Sequence, residues 1–245
     1  MGYLFSCVIP VIGARPYFKD ALASIEKQGI DVEVIVQDGD IERDLGQSDA
    51  LNRGFAKAHG DWLFWLNADD VLLPGALQRI DPLLKYERWI SGNMVTLDSN
   101  GLLISCLWDR GRECDYRRHP VRVYGPSSFF HKSIFDRTGG FDVSLKYCMD
   151  TDLWCRFRDM GVWYKKIDAY LWGFRLHSYS KTAGNKSLEE QRRQDEEVAL
   201  MHSKRGVSMS LSDTRKIRLK RLLNGSYLKG AIDTFHMRGK HWSEL

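Results

Sequence analysis

Several features that would fix the class of this chain at once are missing from it. There is no C-x-x-C pair, and the five cysteines (Cys7, Cys106, Cys114, Cys148, Cys155) form an odd set. That argues against a disulfide framework or a zinc site and for reduced, cytosolic thiols. The longest nearly apolar run, Leu4 to Ile12, is about half of what a membrane-spanning helix needs. It carries neither a basic lead-in nor a small-residue cleavage site, which argues against a secretory signal. No G-x-G-x-x-G follows it and no G-K-[ST] occurs anywhere, so a dinucleotide enzyme and a P-loop kinase are disfavoured. Internal repeats and low-complexity linkers are also absent. The 245 residues suffice for one large domain, or one with a small appendage. With 43% hydrophobic and 28% charged residues the chain is globular, not disordered, collagen-like or a coiled coil.

The net charge of +4 hides an asymmetry. Residues 201–240 hold ten Lys/Arg and two Asp/Glu, a local +8; the remainder has 26 against 30, or −4. A basic tail on a mildly acidic body suits an anionic partner, membrane lipid or nucleic acid; a solvated helical face is the plain alternative.

Along the chain, Tyr3 to Ile12 reads as a strand buried on both faces. Pro16 stands where a helix would start, and Phe18, Leu22 and Ile25 recur at helical spacing before Gly29. Val32 to Val36 is a second strand, residues 47–59 a second helix closed by Gly60, and Trp62 to Leu66 a third strand. After Pro74, Leu77, Ile80 and Leu84 mark a further helix. This alternation predicts an α/β domain with a mostly parallel sheet, whose ligands bind at the carboxyl ends of the strands. The polar groups Gly13-Ala14-Arg15, Asp38-Gly39-Asp40 and Asn67-Ala68-Asp69-Asp70 fall at those ends. Ile90 to Leu97 and Leu102 to Leu107, joined through Asn100-Gly101, read as a hairpin. Val121 to Tyr124 is a further strand candidate. Ser133 to Arg137 and Asp150 to Met160 read as helices, and Val162 to Ile167 as a strand. From 187 onward the pattern is helical and basic. The expected division is 1–186, split into a ligand-binding half (1–88) and a second half (89–186), followed by a helical extension, 187–245.

Adjacent carboxylates such as Asp69 and Asp70 repel each other in a dry site, and a hard divalent cation relieves that repulsion. A helix N-terminus favouring acidic side chains is the competing reading. Asp150 and Asp152 form a second acidic pair, at which one member can cap a helix and the other act as a general base. His177, in Phe174-Arg175-Leu176-His177, is by itself no more than a lone histidine. Cys114 and His119 are too sparse a pair for zinc. Of the eight tryptophans most read as core, with one or two at a cleft able to stack on a sugar or a base.

Taken in order, these segments resemble a family 2 glycosyltransferase of the GT-A fold, in its bacterial polysaccharide and lipopolysaccharide branch. The likeness spans roughly residues 3–180. Ser6-Cys7-Val8-Ile9-Pro10 resembles the opening strand. Val34-Ile35-Val36-Gln37-Asp38-Gly39 resembles the second strand, with its base-facing aspartate. Gly46-Gln47-Ser48-Asp49-Ala50-Leu51-Asn52-Arg53-Gly54 resembles a helix of one branch, and Gly60-Asp61-Trp62 to Asp70 the passage into the D-x-D motif. Ser127-Ser128-Phe129-Phe130 with Gly139-Gly140-Phe141-Asp142 resembles the acceptor side. Met149-Asp150-Thr151-Asp152-Leu153-Trp154 resembles the region of the catalytic base, and His177 before Ser180-Lys181-Thr182 a late metal-site histidine. Asn67 stands where many relatives have the first carboxylate of D-x-D, and Met149 where a Glu usually precedes the base.

The resemblance implies an inverting, metal-dependent sugar transfer from a nucleotide-diphosphate donor, with uridine the expected base. Pro10, Asp38, Gly39, Asp49, Asn52, Asn67 and Asp69 would bind the donor. Asp70 and His177 would hold Mn²⁺ or Mg²⁺. Ser127 and Asp152 would face the acceptor, and Asp150 would be the base. The acceptor would be a glycan or a lipid-linked sugar, reached from the cytoplasmic face of a membrane with the basic tail as the contact. No nucleic acid is expected as a partner, and a second copy of the chain is left open. An inactive homologue and a sugar nucleotidyltransferase are the rival readings. The latter should carry a glycine-rich basic loop after the first strand, which Pro10-Val11-Ile12-Gly13-Ala14-Arg15 is not.

Overall fold

The computed structural model describes residues 4–110, 123–178 and 187–245. Cys114, His119, the first half of the candidate strand Val121 to Tyr124, and Ser180-Lys181-Thr182 lie outside them. Among the described residues one eight-stranded sheet runs β2-β1-β3-β7-β5-β8-β4, with β6 paired to β5. Its first half comprises β1 (Phe5–Val11), α1 (Phe18–Glu26), β2 (Val32–Asp38), α2 (Gln47–Ala56) and β3 (Trp62–Trp65). β1 pairs in parallel with β2 on one edge and β3 on the other, as continuous apolar strands covered by helices should. Packing between α2 and β1 is close enough that a Cβ on Gly54 would fall 2.4 Å from Val8, so glycine is required there.

The second half is β4 (Val71–Leu72), α3 (Ala76–Ile80), β5 (Trp89–Leu97), β6 (Leu103–Leu107), β7 (Ser128–His131), α4 (Lys132–Thr138), α5 (Met149–Asp159) and β8 (Lys165–Arg175). The sheet as a whole is mixed, with its longest ladders parallel. β1–β2, β1–β3 and β5–β8 are parallel, while β3–β7, β5–β7, β5–β6 and β4–β8 are antiparallel. The reason is β7, which inserts against β3 and β5 and runs opposite to both. β3, β5 and β8 still run the same way, so their carboxyl ends share one edge. The hairpin expected at 90–107 is β5–β6; its turn closes through the Asp98 amide donating to the Leu102 carbonyl, with Gly101 at φ 80°.

Two layers cover the sheet. Val8, Leu63, Trp65, Trp89 and Phe130 pack under α2, α4 and α5, while Phe5, Cys7, Ile9, Phe64 and Ile90 pack under α1 and α3. Seven tryptophans are buried and none of the eight is exposed, so the expectation of a tryptophan standing free at a cleft is not met. Cys7, Cys106, Cys148 and Cys155 are buried, and none of them is in a disulfide.

The segment 187–245 holds α6 (Leu188–Lys204), α7 (Leu211–Leu223) and α8 (Ser226–Met237). It is not uniform. Met201 and Val207, in and just after α6, enter the core under α5, whereas α7 has no buried residue. α8 lies on β6, and Gly230 approaches the Cys106 carbonyl so closely that a Cβ would sit 2.8 Å from it.

Candidate active site

Asp38 ends β2, where a carboxylate faces whatever lies beyond the sheet edge. Arg15, in the turn after β1, donates from Nη2 to Asp38 Oδ1 at 2.7 Å and to Asp40 Oδ2 at 3.0 Å. Burial works against the charge on Asp38, but the Asp40 amide and the Arg15 guanidinium more than offset it and hold the carboxyl below its ordinary value. The same bonds, to Asp38 first and then Asp40, raise the Arg15 pKa. Gly39 donates its amide to the Val11 carbonyl at 2.9 Å and turns the chain at this point. Pro10 sits opposite Gln37 in the β1–β2 register, past Val8 where the pairing with β3 ends. Arg15 was noted in the sequence only as a polar residue at a strand end; its position two residues beyond a glycine turn was the available signal.

Asp49 and Asn52, both on α2, are occupied by the protein itself. Asp49 accepts from the Leu45 amide and pairs with Arg53 at 2.9 Å. Asn52 clamps the backbone of Phe141, donating to its carbonyl at 2.9 Å and accepting from its amide at 2.7 Å. A Cβ at Gly140 would lie 2.5 Å from Asn52 Oδ1, which accounts for the glycine there. The structure thus gives Asn52 a packing role that joins α2 to the segment before α5.

After β3 the two adjacent aspartates diverge. Asp70 is fully buried and Asp69 has a side chain 33% exposed. Asp70 accepts from the Arg175 amide at 3.0 Å and from Asn67 Nδ2 at 2.9 Å. Asn67 in turn accepts from Gln47 Nε2 at 2.9 Å, so both ends of its amide are taken. Burial, then the charge of Asp69, push the Asp70 carboxyl well above its ordinary value. Asp69 faces outward and meets His177: Oδ2 and Nε2 lie 2.9 Å apart. The structure therefore brings His177 to Asp69, not to Asp70.

Arg175, the last residue of β8, supports this pair from below. It is 1% exposed. Its Nε donates to the Asp69 carbonyl at 3.0 Å, Nη1 to the Ser99 carbonyl at 3.1 Å and Nη2 to Asp20 at 2.7 Å. Its guanidinium lies 4.5 Å from the Tyr17 ring centre, and that ring is 5.1 Å from the His177 ring. The strand predicted at 162–167 stops short of Arg175, so neither its place at a strand end nor its fourfold engagement is legible in the sequence.

Across the edge, Asp150 lies in the first turn of α5, with Oδ1 accepting from the Thr151 amide at 2.7 Å. Gly125 is wedged beside it: a Cβ there would be 2.5 Å from the Trp65 ring and 3.3 Å from Asp150 Oδ2. Trp65 is the end of β3, so Asp150 stands next to the strand that leads to Asp69. The loop into α5 is held from afar. Glu197 on α6 accepts from the amides of Lys146, Tyr147 and Cys148 at 2.9, 2.6 and 3.0 Å. Burial opposes the charge on Glu197, and the three amides bring its pKa below the ordinary value. Ser48 Oγ on α2 donates to the Leu145 carbonyl at 2.9 Å and contacts Met149 Sδ at 3.0 Å. Met149 is thus a packing residue, and Glu197 and Ser48 set the position of Asp150. Nothing in a charged amphipathic helix singled out Glu197.

Ser127 and Asp152 lie in the interior. Ser127 is fully buried, with Oγ donating to the Tyr124 carbonyl at 3.0 Å. Asp152 is fully buried between Arg156 Nε at 2.9 Å and Arg205 Nε at 2.5 Å. Both side chains are spent on the fold, with no face left toward an acceptor.

A mixed α/β sheet with acidic groups at the carboxyl edge of its parallel strands places a candidate ligand site at that edge. Comparison with known proteins makes that specific. Residues 40–88, which contain α2, β3 and Asp69-Asp70, match the model of glycosyl transferase family 2. Uncharacterised glycosyltransferases of Rickettsia typhi and Rickettsia prowazekii are 23% and 26% identical to this chain, each over 63% of it and 58% of the relative. The chain thus spans under two thirds of the length of these relatives. Among solved structures, TarS of S. aureus in complex with UDP-GlcNAc superposes with a TM-score of 0.60 at 13% identity, covering 94% of this chain and 74% of that one. The mannosyltransferase PcManGT of Pyrobaculum calidifontis, in complex with GDP-Man and Mn²⁺, superposes at 0.54 with 13% identity, covering 91% of this chain and 81% of that one. Together these support a family 2 glycosyltransferase with the GT-A fold.

Proposed function

We propose that the chain transfers a sugar from a nucleotide-diphosphate donor to a hydroxyl of a glycan or lipid-linked acceptor, with inversion. One observation carries this: carboxylates from β2, from the segment after β3 and from the start of α5 lie toward a single sheet edge, each held by a neighbouring side chain or backbone amide. Asp38, with Arg15 behind it, receives the nucleoside; a uridine is the expected base. Pro10 and Gly39 shape the floor there. Asp69 and His177 face the donor diphosphate.

The donor set at Asp69 and His177 fits a hard cation in chemistry if not in number. Among the described residues no group of three or more His, Cys, Asp or Glu side chains could hold a metal ion. Mg²⁺ and Mn²⁺ are commonly held by one or two protein groups with substrate phosphates completing the shell, which is what one carboxylate and one imidazole allow. When bound, the cation would offset charge on the departing diphosphate. Asp70, enclosed by Asn67 and Arg175, would act on this cation only through the placement of Asp69.

Asp150 then takes the proton of the acceptor hydroxyl. The oxygen attacks the anomeric carbon as its bond to the diphosphate breaks on the opposite face, and one displacement of this kind inverts the centre. The remaining parts of the proposal are a cytoplasmic location and an anionic membrane surface as the place where the acceptor is met. Among the described residues no helix is long and apolar enough to cross a membrane.

The test is Asp150→Asn. A positioned base contributes about 10²–10⁴ in rate, so transfer should fall by that factor. Nucleotide binding should survive: a ligand at about 100 times its Kd adds roughly 2.7 kcal/mol, seen as a thermal shift with UDP and Mn²⁺ in both proteins. Transfer at the wild-type rate would remove Asp150 from this role. No shift with any of UDP, GDP, dTDP or CMP would leave a fold without donor binding.

A further inference from the structure

α7 and α8 present an apolar ridge. Leu219, Leu222 and Leu223 share the outward face of α7 and are 55%, 63% and 78% exposed. Leu228, Ile232 and Phe235 follow at helical spacing on α8 and are 65%, 45% and 83% exposed. The opposite face of α8 is the one in contact with the body. Ser226 and Gly230 are buried, and Thr234 Oγ1 accepts from the Cys106 amide at 2.8 Å. Six exposed aliphatic or aromatic side chains in a row across two helices and their turn exceed the scattered apolar residues normal for a surface. A helix of 13 residues with no buried side chain gains little from packing, which is where most helical stability in proteins arises.

The charges around the ridge have one sign. Arg215, Lys216, Arg218 and Lys220 on α7, and Arg238 and Lys240 after α8, are exposed. Of the two acids of the region, Asp213 stands 3.9 Å from Lys216 at the start of α7 and Asp233 is turned to the body. Asp233 points inward to the Tyr170 hydroxyl at 2.7 Å and to Lys229. Asp213 caps α7, accepting from the Ser210 amide at 3.0 Å.

We infer that the outward faces of α7 and α8 seat on an anionic membrane surface, with the six apolar side chains entering the headgroup boundary and the surrounding cations on the lipid phosphates. Deepening the transferase reading and resting on it, this says that the acceptor is presented by the membrane itself. Apolar side chains ringed by Lys and Arg are the composition of interfacial helices. A second copy of the chain complements the ridge poorly. A two-fold contact would set the cations of α7 against their own symmetry mates.

The experiment is flotation of the full chain with vesicles of phosphatidylglycerol and phosphatidylcholine, and with phosphatidylcholine alone, at low and high salt. Binding is expected only to the anionic vesicles and should weaken with salt. Glutamine at Arg215, Lys216, Arg218 and Lys220 should lower partitioning by about fivefold per charge. Leu222→Asp and Phe235→Asp should each lower it about tenfold or more. Their side chains already stand in solvent, so the melting temperature should not change. No wild-type binding to anionic vesicles overturns the inference, as does binding indifferent to Leu222→Asp and Phe235→Asp. So does a dimer in light scattering that these two substitutions dissociate. The thermal shift with UDP, GDP, dTDP or CMP is measured on the same proteins. Vesicle binding without any nucleotide response sinks the transferase reading alone; nucleotide response without vesicle binding sinks the membrane surface alone.

Discussion

The chain has two pairs of neighbouring aspartates at its site, and each pair is divided the same way by the fold. Asp69 faces out while Asp70 is fully buried; Asp150 lies partly open while Asp152 is fully buried. The buried members differ in what surrounds them. Asp70 is met by neutral donors, the Asn67 amide and the Arg175 main chain, and burial with a charged neighbour raises its pKa. Asp152 is met by two guanidinium groups, Arg156 and Arg205. A carboxylate among dipoles positions its neighbour and can lose its charge at little cost. A carboxylate between cations is a tie whose loss leaves two half-buried guanidinium groups without their carboxylate.

Three measurements would break or sharpen that contrast. The largest effect is expected from Asp152→Asn, which leaves Arg156 and Arg205 facing an uncharged amide. Chemical denaturation should show a loss of about 3–5 kcal/mol. Asp70→Asn should cost much less, about 1 kcal/mol: one accepted hydrogen bond is lost, but so is the penalty for burying a charge. If Asp70→Asn is as damaging as Asp152→Asn, the distinction between dipolar and cationic partners fails. The smallest effect concerns the docking of α6. Lys204 and then Ser144 hold Asp142 down to about 2, and the loop amides hold Glu197 low despite its burial. Both carboxyls are more acidic folded than unfolded. Their contribution is therefore full above the unfolded values of 3.8 and 4.5 and is lost as pH falls toward the folded ones. Melting temperature across an acid series should fall over that window in the wild type, and less steeply in Glu197→Gln.

The alternation of strands and helices over residues 5–84 was legible because strands buried on both faces are continuous apolar runs, as in Phe5–Val11 and Trp62–Trp65. Strand direction in the second half was not. β7 is four residues long, too short for a periodic signal, and it decides that the sheet is mixed. β8 continues to Arg175 through Tyr170, Leu171 and Trp172, beyond the strand read at 162–167, because pairing with β5 and β4 extends it. At the site, residue types told where acids cluster, not which way each one turns. Asp69 and Asp70 are neighbours in sequence, and what separates them is an amide from a strand 105 residues later. The same distance problem hid the tie of Asp152 to Arg205, 53 residues on, whereas Ser127 is buried on a local partner, the Tyr124 carbonyl.

The hold of Glu197 on residues 146–148 also sets an order of events during synthesis. β1 to β3, with Asp38 and Asp69, leave the ribosome early and pair among themselves, since their partners lie within the first 65 residues. The loop that aims Asp150 has to wait for α6, some 50 residues behind it. A nascent chain can therefore pair β1 to β3 well before α6 fixes the loop ahead of Asp150, and a chain cut after residue 186 would leave the amides of 146–148 without their Glu197 acceptor.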